Sequence, residues 1–76
     1  MMDIKLKLHS HGFTIKERDQ EIELAPRTIL WWRKGYPNEY HYKCEGLGND
    51  GYPVEGVGST LEEALVDFLI WHEIND

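Results

Sequence analysis

Cysteine is almost missing from this chain. Cys44 stands alone, so no disulfide can staple a fold within the chain, and a lone thiol is the pattern of a reducing compartment. Long apolar runs are missing too. No stretch approaches the roughly 18 apolar residues of a membrane span, and no charged leader precedes a shorter one. The expected location is therefore the cytoplasm. Internal repeats and low-complexity segments are absent, and no set of ligands stands at the spacing of a structural zinc site. Lys and Arg are absent from residue 44 onward. All eight Lys and Arg lie between Lys5 and Lys43, and none follows Cys44.

What remains is small and electrically divided. With 76 residues the chain makes one domain, 1–76, because a chain this short buries only about 60% of its unfolded surface and cannot build two cores. Eight cations against six carboxylates leave residues 1–43 at +2, whereas Glu45, Asp50, Glu55, Glu62, Glu63, Asp67, Glu73 and Asp76 give the remainder −8, for a net −6. That balance argues against a general nucleic-acid binder. It favours a protein partner with a basic surface.

Ile4, Leu6 and Leu8 alternate with Lys5, Lys7 and His9, the period that puts one set of side chains on a sheet face and predicts a first strand. Phe13 and Ile15 continue it or begin its return. "RDQE" at 18–21 turns the chain before Ile22 and Leu24, and Pro26 punctuates. "TILWWR", 28–33, is β-branched and aromatic, "KGYPNE" is turn chemistry, and "YHYKC" resumes alternation, which predicts a hairpin. A glycine-rich loop over 46–53 precedes a short strand at Val54–Val57. Thr60-Leu-Glu-Glu63 fits a capping box, with Ser59 and Glu62 as the other register, and opens a helix to about His72–Glu73. The expected class is α+β: a small antiparallel sheet of about four strands within 3–57, packed on one C-terminal helix over about 60–73.

Both elements carry more apolar surface than this architecture buries. Leu61, Ala64, Leu65, Phe68, Leu69 and Trp71 form the core stripe of the helix at about 100° per residue. Val66, Ile70 and Ile74 fall opposite, among Glu62, Glu63, Asp67 and Glu73. One helix covers one sheet face, and Trp31 and Trp32 point to opposite faces, so one indole looks outward. Ile29 with Trp31, or Leu30 with Trp32, would then make an apolar patch. These residues form the expected protein interface, with aliphatics at a desolvated centre and acids steering the encounter. A homodimer is the simplest way to cover them.

Catalytic chemistry finds little support. "GLGNDG", 46–51, has the letters of the dinucleotide fingerprint but no helix opening behind it. His9 and His11 could share a strand face, yet two ligands do not make a metal site. Cys44 and His41 stand at i and i+3 in one strand and hence on opposite faces, so Cys44 is read as a small buried hydrophobe. The pairs Glu62/Glu63 and Glu21/Glu23 lack the apolar pocket of a catalytic carboxylate. No enzyme, cofactor or metal is expected. "WWRKGYPNEYHYK", 31–43, interleaves aromatics with Arg33, Lys34 and Lys43, so single-stranded nucleic-acid binding through that hairpin is the alternative function.

"GVGSTLEEALVDFL", 56–69, resembles the strand-to-helix passage of HicB-type antitoxins, where a glycine-containing strand end meets a Thr-capped helix beginning T-x-E-E-A-L, and is similar to segments of small phage and prophage proteins. The chain departs from the antitoxin pattern after the helix, where neither a further strand nor a DNA-binding tail is read. The resemblance implies a sheet-and-helix module working by protein contact. The expected function is a small acidic, non-catalytic inhibitor or antitoxin-like masking protein, phage or mobile-element encoded, that occludes a nucleic-acid-handling partner.

Overall fold

The computed structural model describes residues 3–20, 23–33 and 41–74, the side chains of 73 and 74 excepted. The turn expected at 34–39 and Ile22, before which the chain was expected to turn, lie outside the described residues. Six elements follow in order: helix α1 Ile4–Ser10, strands β1 Thr14–Glu17, β2 Thr28–Arg33, β3 Tyr42–Leu47 and β4 Pro53–Gly58, and helix α2 Leu61–Ile74. The class is α+β. Among the described residues no helix is long and apolar enough to cross a membrane.

The first element corrects the sequence reading, for Ile4–Ser10 is helical. Asp3 caps it, its carboxylate accepting from Lys5 N at 2.9 Å. At the other end Gly12 sits at φ +85°, with Gly12 N donating to His9 O at 2.9 Å and Phe13 N to Leu8 O at 3.0 Å. That bond pair is a Schellman motif, and its usual apolar clasp is present because Leu8 and Phe13 are both buried in the core. Ile4 and Leu8, four apart, turn inward while Leu6 stays 66% exposed. Three alternating apolar residues contain an i, i+4 pair as well as a strand face, and the caps decide between them. Gly12→Ala tests this ending cleanly. No atom lies within 4 Å of the added methyl, so only the left-handed backbone resists it, and thermal melts should show a loss of about 1 kcal/mol.

The sheet runs β1-β2-β3-β4 and is mixed, not purely antiparallel: β1 pairs parallel with β2, and the other two pairings are antiparallel. Residues 18–27 carry the chain back to the same end of the sheet. They finish in a turn in which Thr28 N donates to Ala25 O at 3.2 Å, with Arg27 left-handed at φ 59°. Proline at the second position and positive φ at the third make it type II. Arg27 holds that unusual conformation while its Nη1 reaches His11 O at 3.2 Å and its guanidinium lies 5.1 Å from the centre of the Phe13 ring. Of the turn expected at "RDQE", Glu21 lies outside the described residues.

Register assigns the faces. Ile15, Ile29, Trp31, Cys44, Gly46, Val54 and Gly56 share the side that meets the helices. There Ile29, Cys44 and Val54 join Leu8, Phe13, Ala64, Leu65 and Phe68 in the core, with Trp31 and Tyr42 packed at its margin. The capping box forms in the Thr60 register: Glu63 N donates to Thr60 Oγ1 at 3.1 Å, and Glu63 Oε2 accepts from Thr60 N at 3.2 Å and Ser59 N at 2.8 Å. Trp71 departs from the expected stripe, being 49% exposed, and His72 is buried instead, its ring 5.4 Å from Phe13 and 5.9 Å from Phe68. From Leu61 and Leu65 the 3.6-residue period advances to Phe68 and His72, and Trp71 falls one step off that line.

Glycines decide where α2 lies. A methyl built on Gly56 would strike Ala64 O and Phe68 N, one on Gly58 would come 2.5 Å from Glu63 Cβ, and one on Gly46 would come 2.9 Å from the Phe68 ring. Helix backbone thus rests almost directly on strand backbone. The helix covers β4, at the sheet edge, and β3 beside it.

Candidate protein-binding groove

Placing a helix over an edge strand leaves a step, and the step is the candidate site. A groove of about 610 Å³ runs along it, floored by Val57, Gly58 and Ser59 and walled by Glu62, Glu63, Val66, Asp67 and Ile70 of α2. Val66 is 43% and Ile70 49% exposed. Five of the nine residues expected at an interface, Glu62, Glu63, Val66, Asp67 and Ile70, are therefore brought together. Glu73 and Ile74 close α2, and their side chains lie outside the described residues.

The acids differ in what else they do. Glu63 holds the two amides of the capping box. Asp67 Oδ2 accepts from Val57 N at 3.0 Å, tying the outer helix flank to the edge strand. Each carboxylate satisfies backbone donors while lining the groove, so both serve the groove wall and the local structure together. Glu62 is exposed on the wall. Charge reversal at Glu62 therefore probes the field without removing a structural bond, which reversal at Glu63 or Asp67 would do.

The two tryptophans lie elsewhere, and the outer sheet face is not the expected apolar patch. Trp31 turns toward the helices, its ring 6.1 Å from Tyr42, and Trp32 turns outward. Trp32 is only partly exposed, because Arg18 lies 5.1 Å and Lys43 5.5 Å from its ring centre. Both cations are paired, Arg18 with Glu45 at 2.8 Å and Lys43 with Glu55 at 3.3 Å. The first pair spans β2 between Leu30 and Trp32, and Leu30 beneath it is 1% exposed. Long charged stems thus cover the apolar centre of this face. That arrangement bears only on the described ends of the hairpin considered for single-strand binding, whose residues 34–40 lie outside the described residues. A stacking platform needs an open aromatic face and cations available to phosphate, whereas Trp32 is flanked and Lys43 is bonded to a carboxylate. Arg33 is exposed, and Lys34 lies outside the described residues.

The remaining motifs resolve into structure. Gly48–Tyr52 forms the turn between β3 and β4: Gly48 N donates to Tyr52 O at 2.8 Å, Tyr52 N to Asp50 Oδ1 at 3.1 Å, and Gly51 takes φ +84°. The "GLGNDG" letters serve a hairpin. His9 lies on α1 and His11 caps it, so they do not share the strand face on which metal approach was considered. Among the described residues no three His, Cys, Asp or Glu gather to hold a metal. Cys44 is fully buried, its Sγ donating to Ala64 O at 3.1 Å, and burial pushes the thiol up to about 12. Such a thiol is held neutral, the opposite of an activated nucleophile.

The groove floor was missed in the sequence. A signal existed in Gly56-x-Gly58, two glycines on one strand face just before a capped helix, which permits backbone contact and moves the helix over the last strand. No protein-family model matches the chain, and neither a curated protein nor a solved structure matches it significantly.

Proposed function

We propose that this protein is a small acidic, non-catalytic binding module that takes a basic surface of another protein into the groove between β4 and α2. The observation that carries the reading is the pairing, in one groove, of half-exposed aliphatics Val66 and Ile70 with Glu62, Glu63 and Asp67. Apolar area at the centre supplies affinity, and the acids supply steering and exclusion of wrong partners. Surfaces rich in Lys and Arg belong above all to proteins that handle nucleic acid. Occupying such a surface excludes phosphates from it, so the module acts as an inhibitor or antitoxin-like mask, the role suggested by the HicB-like segment 56–69 and suited to a phage or mobile-element product in the cytoplasm. A two-fold pairing through the groove would bring together two copies of a wall that carries Glu62, Glu63 and Asp67 and no Lys or Arg to offset them, a like-charge juxtaposition that disfavours the pairing. The proposal therefore takes a basic partner for this site, not a second copy.

The test is nuclease-treated affinity capture with wild type, Glu62→Lys and Ile70→Ser. The expected result is a basic protein recovered by wild type, lost with either variant and weakened by salt. Recovery unchanged by both variants would remove the groove from the function.

A further inference from the structure

Resting on that reading, we infer that the groove admits its partner as an extended strand added to the free side of β4, with a basic residue followed at every second position by two aliphatics. The edge comes first. Among the described residues β4 ends the sheet, with β3 on one side and the groove on the other. The Val57 amide donates to Asp67, a groove-lining carboxylate, so this donor points outward from the sheet and already donates to an anionic oxygen. A segment in the groove meets this donor along its floor. Main-chain pairing with an exposed sheet edge is how extended segments gain affinity without a deep pocket.

The helix wall fits the same mode in spacing. Glu62, Val66 and Ile70 lie four apart along α2 and all line the groove, so each step rises about 6 Å. Alternate side chains of a strand recur about every 6.7 Å. The direction fits as well. Gly58 lies against Glu63 and Ala64, while Gly56 lies against Ala64 and Phe68, so the helix runs back along β4. A fifth strand, about 4.8 Å beyond β4, thus follows the helix flank. Its upward side chains meet Glu62, Val66 and Ile70 in turn. The matching segment carries Lys or Arg opposite Glu62 and Val, Ile or Leu opposite the other two. On entry a carbonyl of the segment takes over the Val57 amide, and Asp67, released, turns to the basic residue.

A helical ligand places its side chains differently, with apolar residues three and four apart, and has no use for an edge amide. The experiment uses two synthetic peptide designs of identical composition. One carries Lys, Val and Ile at alternate positions among threonines, in both sequence directions; its isomer carries them at helical spacing. Each is titrated into the full chain at low salt, with exchange of the Val57 amide followed by NMR. The expected result is binding of an alternating peptide about tenfold tighter than the isomer, slowed exchange at Val57, and at least about tenfold loss in Val66→Ser and Ile70→Ser. Both substitutions are on the exposed wall, and circular dichroism checks that each variant folds.

Equal or tighter binding of the isomer, or binding that leaves Val57 exchange unchanged, overturns the strand mode and leaves the basic-partner reading standing. Binding of neither peptide overturns both. Sedimentation showing a dimer whose dissociation speeds Val57 exchange would give the edge to a second copy, and the inference would fall on that result as well.

Discussion

Gly56→Ala should be the most damaging single-methyl addition in the chain, lowering stability by about 3 kcal/mol or more, at the upper end of overpacking costs. For a domain of this size that is a large share of a total of about 4–11 kcal/mol. The reason is what the methyl would meet. Nothing forces an unusual backbone angle at Gly56; the obstacle is Ala64 O, Phe68 N and Phe68 Cα, the last at 2.8 Å. All three are main-chain atoms of α2, and no rotamer change moves them aside. The helix itself must lift from β4, disturbing Phe68, Leu65 and the Asp67–Val57 bond together. Urea unfolding should show a markedly lower midpoint with an unchanged slope. Gly46→Ala is the internal comparison. Its methyl meets the Phe68 ring at 2.9 Å, a side chain, so Phe68→Leu should relieve part of the Gly46→Ala cost and none of the Gly56→Ala cost. A Gly56→Ala protein within about 0.5 kcal/mol of wild type would show that α2 does not rest on this strand.

The same contact explains how far the sequence could be read. Elements with redundant local cues were legible: the Thr60–Glu63 box gave the start of α2, "TILWWR" gave β2 residue for residue, and Val54–Val57 fell inside β4. The rear face of α2 was legible because its period left Val66 and Ile70 on the side away from the core. Ile4–Leu8 was misread because a single turn of helix and a short strand share the same three apolar letters, and Asp3 and Gly12, the deciding residues, lie outside that triplet. The parallel β1–β2 pairing was hidden because register between distant strands depends on where residues 18–27 lead the chain, which no local period encodes. Trp71 lost its expected core place, and His72 is buried instead, because the helix axis is set by Gly56 and Gly58, not by the widest apolar arc. For the site, the wall could be read and the floor could not, since the floor exists only once the helix is known to sit on the edge strand.

Cys44 should be nearly inert in the native protein and should make stability fall at alkaline pH. Its thiol is raised from 9.0 to about 12, first by burial, opposed by a hydrogen bond from the Gly56 backbone and reinforced by the charge of Asp67. At about pH 8 a shift of this size cuts the thiolate fraction by roughly a thousandfold, and the thiolate is the species that reacts. Modification by a thiol reagent should therefore be slower than in the urea-unfolded chain by at least about that factor, because Cys44 is also fully buried and reached only on opening. Fast native labelling would mean that Cys44 is not covered by Ala64 and α2. The linkage has a definite sign. The folded state holds the proton more tightly, so the full contribution is present below about 9, and it is lost progressively as pH rises from 9 toward 12. The loss could reach about 4 kcal/mol if the whole shift is expressed. The informative quantity is the difference between wild type and Cys44→Ala, in which every ionisation common to both chains cancels. At neutral pH the variant should be the less stable, since it loses the Ala64 contact and leaves a small void. Above about pH 10 the difference should shrink and then reverse, because alanine has no proton to lose. A gap that stays constant from neutral to alkaline pH would show that the thiol titrates alike in the folded and unfolded chains.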